Sequence, residues 1–232
     1  MSESRIAGVR ACVFDAYGTL FDFASAARRC PSLPEAQSGP LTALWRHKQL
    51  QYSWLRSIQG RHADFWTVTQ DALDFALAAY GLHENALRDR LMNLYLDLEP
   101  FADVVGVLAR IKSAGLETAI LSNGSPIMLR AAVDNAGIGN LIDAVLSAEQ
   151  AGVFKPHPRV YQLAVECFRL ERSALCFVSS NAWDACAAAE FGMRVVWCNR
   201  YGQPRERLPG TPDREIQSLS ELPATLGIPG DH

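Results

Sequence analysis

At 232 residues with a net charge of −3 at pH 7, the chain fits one domain, or one domain carrying an insertion, and is long enough to bury a substantial core. Apolar residues make up 49% and charged ones 20%, an ordinary balance for a globular protein in water, and no basic stripe or RNA-binding signature offers a face to nucleic acid. No apolar run reaches the ~20 residues needed to span a bilayer. The opening MSESRIAGVR lacks the apolar segment of a secretory signal, so a cytoplasmic protein without a membrane partner is expected.

In chain order, VRACVFD (9–15) reads as a first strand, dense in apolar residues rather than alternating, as strands covered on both faces are. A Pro/Ser/Gly-rich stretch, PSLPEAQSGP (31–40), follows. Then come three helical segments with no strand between them: 41–58, 64–80 and 84–98. Asp103 is placed to cap VVGVLARIKSA, which Gly115 ends, and ETAILS (117–122) is the next strand. Ser125 and Pro126 open IMLRAAVDNA, ended by Gly137; DAVLS (143–147) is a candidate fifth strand. Pro158 opens RVYQLAVECF, and ALCFVS (174–179) and RVVWCN (194–199) complete the strand set. The proline-punctuated tail from Leu208 carries no assigned element, and no internal repeat stands out. Strands alternating with helices predict an α/β fold with a Rossmann-like parallel sheet. The expected division is a core of 1–20 and 99–232 with a helical cap, 21–98, inserted after the first strand.

Six cysteines (Cys12, Cys30, Cys167, Cys176, Cys186, Cys198) form no CxxC pair, and several lie in apolar runs, which fits reduced, structural thiols in a cytoplasmic setting. The five histidines have no paired ligand spacing, which argues against a histidine-built zinc site.

Ligands of open α/β sheets bind outside the carboxyl ends of the strands. Taking those ends in turn gives Asp15, Tyr17 and Thr19; then Ser122-Asn123-Gly124; Lys155-Pro156 in a loop; and Ser179-Ser180-Asn181 followed by Asp184. Four such clusters at one crest are far more specific than any one of them. Here the chain resembles the haloacid dehalogenase superfamily. Asp15 through Thr19 matches its nucleophile motif, LSNGSP the second, Lys155-Pro156 the third, and SSNAWD, ending at Asp184, the fourth. FDAYGTLFD, LWRHKQLQYSWLRS, FKPHPRVYQLA and VSSNAWDACAAAEFG are further similar to its L-2-haloacid dehalogenase branch.

Phosphatases of that superfamily carry a second aspartate at the position of Tyr17, to protonate a leaving alcohol and help hold Mg²⁺. A halide leaves as a weak base and needs no such proton. A second carboxylate would also repel an organic acid that an aromatic ring can cover. The fourth motif holds Asp184 alone where metal-dependent relatives usually have two acids, so the site reads as metal-free and without a cofactor. The charges assign further roles: Asp15 attacks the halogen-bearing carbon and forms an ester. Lys155 offsets the repulsion between that carboxylate and an anionic substrate. Ser122 and the neighbouring backbone N–H groups receive the substrate carboxylate. The resemblance gives Arg46, with Asn123 beside it, the departing halide, and Asp184, aligned by Ser179 and Asn181, the hydrolytic water. It makes Thr19 an anchor for Asp15, Tyr161 and Trp183 pocket residues, and the protein a homodimer. The implied reaction is hydrolysis of short L-2-haloalkanoic acids to D-2-hydroxyalkanoic acids and halide.

Each residue also fits a bland role on its own. A strand-end Asp closes a turn, Arg46 is a solvated helix charge, Lys155 a loop lysine, Ser122-Asn123-Gly124 a turn, and Asn181 an N-cap. The aromatic residues read as core, Phe65 above all, and His157 reads as a polar loop residue rather than a base. The rival functions are a phosphatase on a small phosphorylated metabolite and a non-catalytic protein that binds an organic acid. Asp15, Lys155 and Asp184 together argue against the second.

Overall fold

The computed structural model describes residues 5–23, 33 and 35–229. Six parallel strands form one sheet: β1 (Ala11–Phe14), β2 (Glu117–Ser122), β3 (Ala144–Ser147), β4 (Leu175–Ser179), β5 (Arg194–Cys198) and β6 (Arg214–Ile216). Their order is 3-2-1-4-5-6, the doubly wound arrangement in which the chain reverses direction across the sheet between β1 and β4. The register sets Phe14 beside both Ile120 and Val178, so the ends of β1, β2 and β4 stand side by side. All residues of β1 and β4 are buried, which is why their sequences are continuously apolar. The α/β class and the parallel sheet are as expected.

Between β1 and β2 the chain builds α1 (Glu35–Ile58), α2 (Phe65–Ala79) and α3 (Asn85–Asn93) before returning through α4 (Val104–Ser113). The outgoing and returning segments pair where they leave the sheet. Asp22 N donates to Glu99 O at 3.0 Å, Phe101 N donates to Leu20 O at 2.9 Å, and Phe21 bridges Pro100 in antiparallel fashion. The helical block has its own aromatic centre of Phe23, Trp45 and Tyr95. It is fastened over the strand ends by Phe65 N to Glu149 Oε1 (3.1 Å), by Phe154 N to Ser57 Oγ (2.9 Å), and by Trp54 set edge-on to Trp183.

Several expectations are corrected. The tail does carry an element, β6, which adds to the edge of the sheet beside β5. At three residues it is too short to show a hydrophobic period. The first helix begins at Glu35, six residues before the apolar pattern starts, and takes Pro40 into its second turn on an exposed face. The third ends at Asn93 rather than Leu98, and the turn beyond it buries Tyr95 and Leu98. Asp103 stands at the start of α4 without capping it; its carboxylate binds Arg200, Ser218 Oγ and Leu219 N instead. The other helices on the core are α5 (Pro126–Asn135), α6 (Pro158–Phe168), α7 (Ala182–Phe191) and the short α8 (Leu222–Thr225). Ser125 caps α5 as expected, and His157 caps α6 by accepting from Arg159 N at 3.2 Å. Cys12, Cys167, Cys176, Cys186 and Cys198 are free thiols, with Cys167 exposed, and Cys30 lies outside the described residues. Among the described residues no helix is long and apolar enough to cross a membrane.

Candidate active site

The four clusters meet over the ends of β1, β2 and β4, beneath the helical block. Asp15 follows β1 directly, its N–H held by Val178 O at 2.9 Å, and the chain then turns through Gly18 at φ +86°. That dihedral strongly disfavours a residue with a Cβ. The turn carries Thr19 back to its own motif. Thr19 Oγ1 donates to Asp15 Oδ2 at 3.2 Å and accepts from Ser180 N at 2.8 Å, which joins the ends of β1 and β4. Asn181 Nδ2 donates to the same Asp15 oxygen at 2.7 Å. Asn181 stands at the N-cap of α7, yet its side chain makes no capping bond. Its amide serves Asp15.

Lys155 lies at the centre, 1% exposed, with its ammonium 3.1 Å from Asp15 Oδ1 and 2.8 Å from Asp184 Oδ2. A buried ammonium is costly unless paired and hydrogen-bonded, and here it stands between two carboxylates. Its backbone is fixed by Lys155 N donating to Asn123 Oδ1 at 2.8 Å. Asp184 is fully buried and accepts from Tyr161 Oη at 2.6 Å and Ser179 Oγ at 3.2 Å as well as from Lys155. Burial pushes its carboxyl up to about 6 against the opposing pull of Lys155, with the nearby Asp15 charge adding to the rise. Burial raises the Tyr161 hydroxyl too, so Tyr161 remains a proton donor to Asp184.

Asp15, Tyr17, Arg46, Leu50, Phe65, Ser122, Asn123, Lys155, Asn181 and Trp183 line a small void of ≈ 10 Å³. That is room for about one water molecule, so the site is tightly closed beneath the helical block. Five of the residues expected to contact substrate line it: Tyr17, Arg46, Ser122, Asn123 and Trp183. Tyr161 does not line it and stands behind Asp184. Phe65, read as plain core, is buried but also lines the void, as does Leu50, which the sequence reading passed over. The Tyr17 ring lies against the backbone at Gly124, where a Cβ would meet Tyr17 Oη at 2.8 Å and Leu129 Cδ2 at 2.9 Å. Gly124 is therefore needed for the ring's close approach. The Tyr17 hydroxyl, buried, has no hydrogen-bond partner among the described residues. Nor do those residues include a group of three or more His, Cys, Asp or Glu side chains that could hold a metal ion. The space between Asp15 and Asp184 is filled by the Lys155 ammonium.

A carboxylate at the sheet's crossover point, a bridging lysine and a second, buried acid are an arrangement suited to a hydrolase on a doubly wound sheet. Residues 9–192 match the haloacid dehalogenase-like hydrolase family. The chain belongs to that family, in its L-2-haloacid dehalogenase branch. It is 44% identical over 219 residues to (S)-2-haloacid dehalogenase 1 of Pseudomonas sp. (strain CBS-3), covering 94% of this chain and 96% of that one. A crystal structure of a dehalogenase superposes with a TM-score of 0.93 at 42% identity, over 97% of this chain and all of the other. The L-2-haloacid dehalogenase of Xanthobacter autotrophicus with chloropropionic acid covalently bound gives a TM-score of 0.87 at 36% identity, over 94% and 98% of the two chains.

Proposed function

We infer that this chain hydrolyses short L-2-haloalkanoic acids to D-2-hydroxyalkanoic acids and halide through an ester on Asp15. The observation that carries the reading is Lys155 bridging Asp15 and Asp184 at the edge of a small void lined by Tyr17, Arg46 and Trp183. The activity named for its relatives supports it. We read residues 1–20 and 99–232 as the catalytic core and 21–98 as a cap that closes it.

Oδ2 of Asp15 is held by Thr19 and Asn181, while Oδ1, among the described residues, meets only Lys155. Oδ1 is the freer oxygen and attacks C2 of the substrate. The new O–C2 bond forms as the carbon–halogen bond breaks, and the halide leaves with the electron pair toward Arg46 and Asn123. Ser122 and Lys155 hold the substrate carboxylate close to a carboxylate nucleophile that would otherwise repel it. The Tyr17 hydroxyl leaves a further donor for the bound anion. In the second step water attacks the ester carbonyl of Asp15, the acyl C–O bond breaks, and the D-2-hydroxy acid leaves. One proton of the water goes to Asp184, which Tyr161, Ser179 and Lys155 hold in place, and passes from it to the alkoxide oxygen as the acyl C–O bond breaks, while the other is lost to solvent as Asp15 ionises again. No step calls for a metal ion, because Lys155 and Arg46 supply the positive charge.

In-line displacement inverts C2 once, and ester hydrolysis breaks no bond to C2. Halide release from each enantiomer of 2-chloropropionate, followed by chiral chromatography of the lactate formed, tests the reading. The L form alone should react and give D-lactate. Retained configuration, or equal consumption of both hands, would overturn it.

We also propose a homodimer in the cytoplasm. Leu55, Ile58, Phe75 and Tyr80 are exposed on and beside α1 and α2 and supply apolar surface for a twofold contact, and sedimentation tests it. The free thiols suit a reducing compartment.

A further inference from the structure

Gln49 is a polar residue where the helix pattern calls for an apolar one. Trp45, Gln49 and Ser53 share one stripe of α1 at a four-residue spacing, and all three are fully buried. A buried amide is tolerated only when its hydrogen-bonding groups are satisfied, and those of Gln49 run directly to Arg46. Its Oε1 accepts from Arg46 Nη1 at 2.7 Å; its Nε2 donates to Thr69 Oγ1 at 2.7 Å and to Tyr95 Oη at 3.0 Å.

The orientation of this amide is forced. Thr69 has one hydroxyl proton, which goes to Phe65 O at 2.6 Å. Thr69 Oγ1 can therefore only accept from Gln49, so the NH₂ group of the amide faces Thr69 and its oxygen faces Arg46. The guanidinium is thus held by an acceptor whose direction is set two residues away. That acceptor is also neutral. Among the described residues Arg56, Arg88 and Arg200 pair with carboxylates, but no carboxylate lies within ion-pair distance of Arg46. A carboxylate in place of Gln49 would orient the guanidinium equally well but cancel its charge.

We propose that Gln49 is a positioning residue for the halide-binding arginine, and that its neutrality keeps the full charge of Arg46 available to the departing anion. This rests on the role given to Arg46 above. Displacement of chloride, the poorer leaving group, depends on that charge more than displacement of bromide does.

The test compares kcat/KM for 2-bromopropionate and 2-chloropropionate, and inhibition by bromide, in Gln49→Glu, Gln49→Met, Thr69→Val and Arg46→Ala. Thermal unfolding reports whether each variant is folded. Gln49→Glu should raise the bromide-to-chloride preference about tenfold and weaken bromide inhibition by a similar factor. Gln49→Met and Thr69→Val keep the charge but loosen its direction, so they should move the same ratio by a smaller factor. A merely structural residue would slow both substrates equally. Should Gln49→Glu not fold, the Met and Val variants decide by the same ratio. If Arg46→Ala shifts the ratio and the folded Gln49 and Thr69 variants do not, the proposal is overturned. If Arg46→Ala leaves the ratio unchanged, the assignment of Arg46 to the halide has failed, and the role of Gln49 falls with it.

Discussion

Replacing Lys155 by methionine keeps a long flexible side chain at the centre of the site and removes only its charge. With an effective dielectric of ~20, the ammonium attracts Asp15 at 3.1 Å by about 5 kcal/mol and Asp184 at 2.8 Å by about 6 kcal/mol. Most of this is offset in the native protein by the cost of removing three ions from water. Without the lysine that cost remains and the compensation is gone, so the variant should lose about 3–5 kcal/mol of stability. The two carboxylates, left without a cation, would also resist joint ionisation. The folded pKa of Asp184, already raised to about 6, would then rise further above the unfolded one, so the deficit should be small at about pH 5 and grow as the pH rises to about 8. Adding Asp184→Asn should recover stability without recovering activity, because one of the two uncompensated charges is then absent. Halide release should fall at least about 10²–10³-fold in both variants. Urea unfolding at the two pH values and single-turnover halide release measure these effects. Activity within about tenfold of the parent, or a stability loss independent of pH, would refute the account of Lys155 as a buried bridge.

Asp15→Asn should abolish turnover with the fold retained. In a single turnover in heavy-oxygen water the parent enzyme should take the label into Asp15 before any reaches the hydroxy acid, and mass spectrometry of the peptide around residue 15 checks this. Activity should survive prolonged dialysis against EDTA; a requirement restored by magnesium would return the site to phosphoryl chemistry. Burial raises Asp184 to about 6, so its carboxylate is lost as pH falls through that value. Hydrolysis of the ester should then slow more than its formation, and acid-quenched mass spectrometry below about pH 6 should find ester accumulating on Asp15. The sign for stability is the opposite: a folded pKa above the unfolded one favours the fold at low pH and loses that contribution as pH rises.

The strand-end residues were legible in sequence because the chain writes them locally. An apolar run that stops at a carboxylate, followed within three residues by Gly18 and Thr19, specifies both a strand and the turn beyond it. β1, β2, β4 and β5 and the strand-end candidates Asp15, Thr19, Ser122, Asn123, Ser179 and Asn181 follow from such local marks, whereas Arg46, Tyr161 and Trp183 were reached through the family resemblance. β6 was not legible, since three residues on a sheet edge carry no period of their own. The start of α1 was missed because polar residues and Pro40 precede its apolar stripe. What holds Arg46 lay further out of reach. Gln49 is its near neighbour on the helix, but the direction of the Gln49 amide depends on Thr69 and Tyr95, 20 and 46 residues away. Those partners are brought together only by the packing of the inserted helices. A carboxylate at a strand end can be read from a single turn of chain, whereas what holds Arg46 depends on how α1, α2 and the turn after α3 meet. Substitutions within that helical contact should therefore tune which halide leaves fastest while the chemistry at Asp15 stays the same.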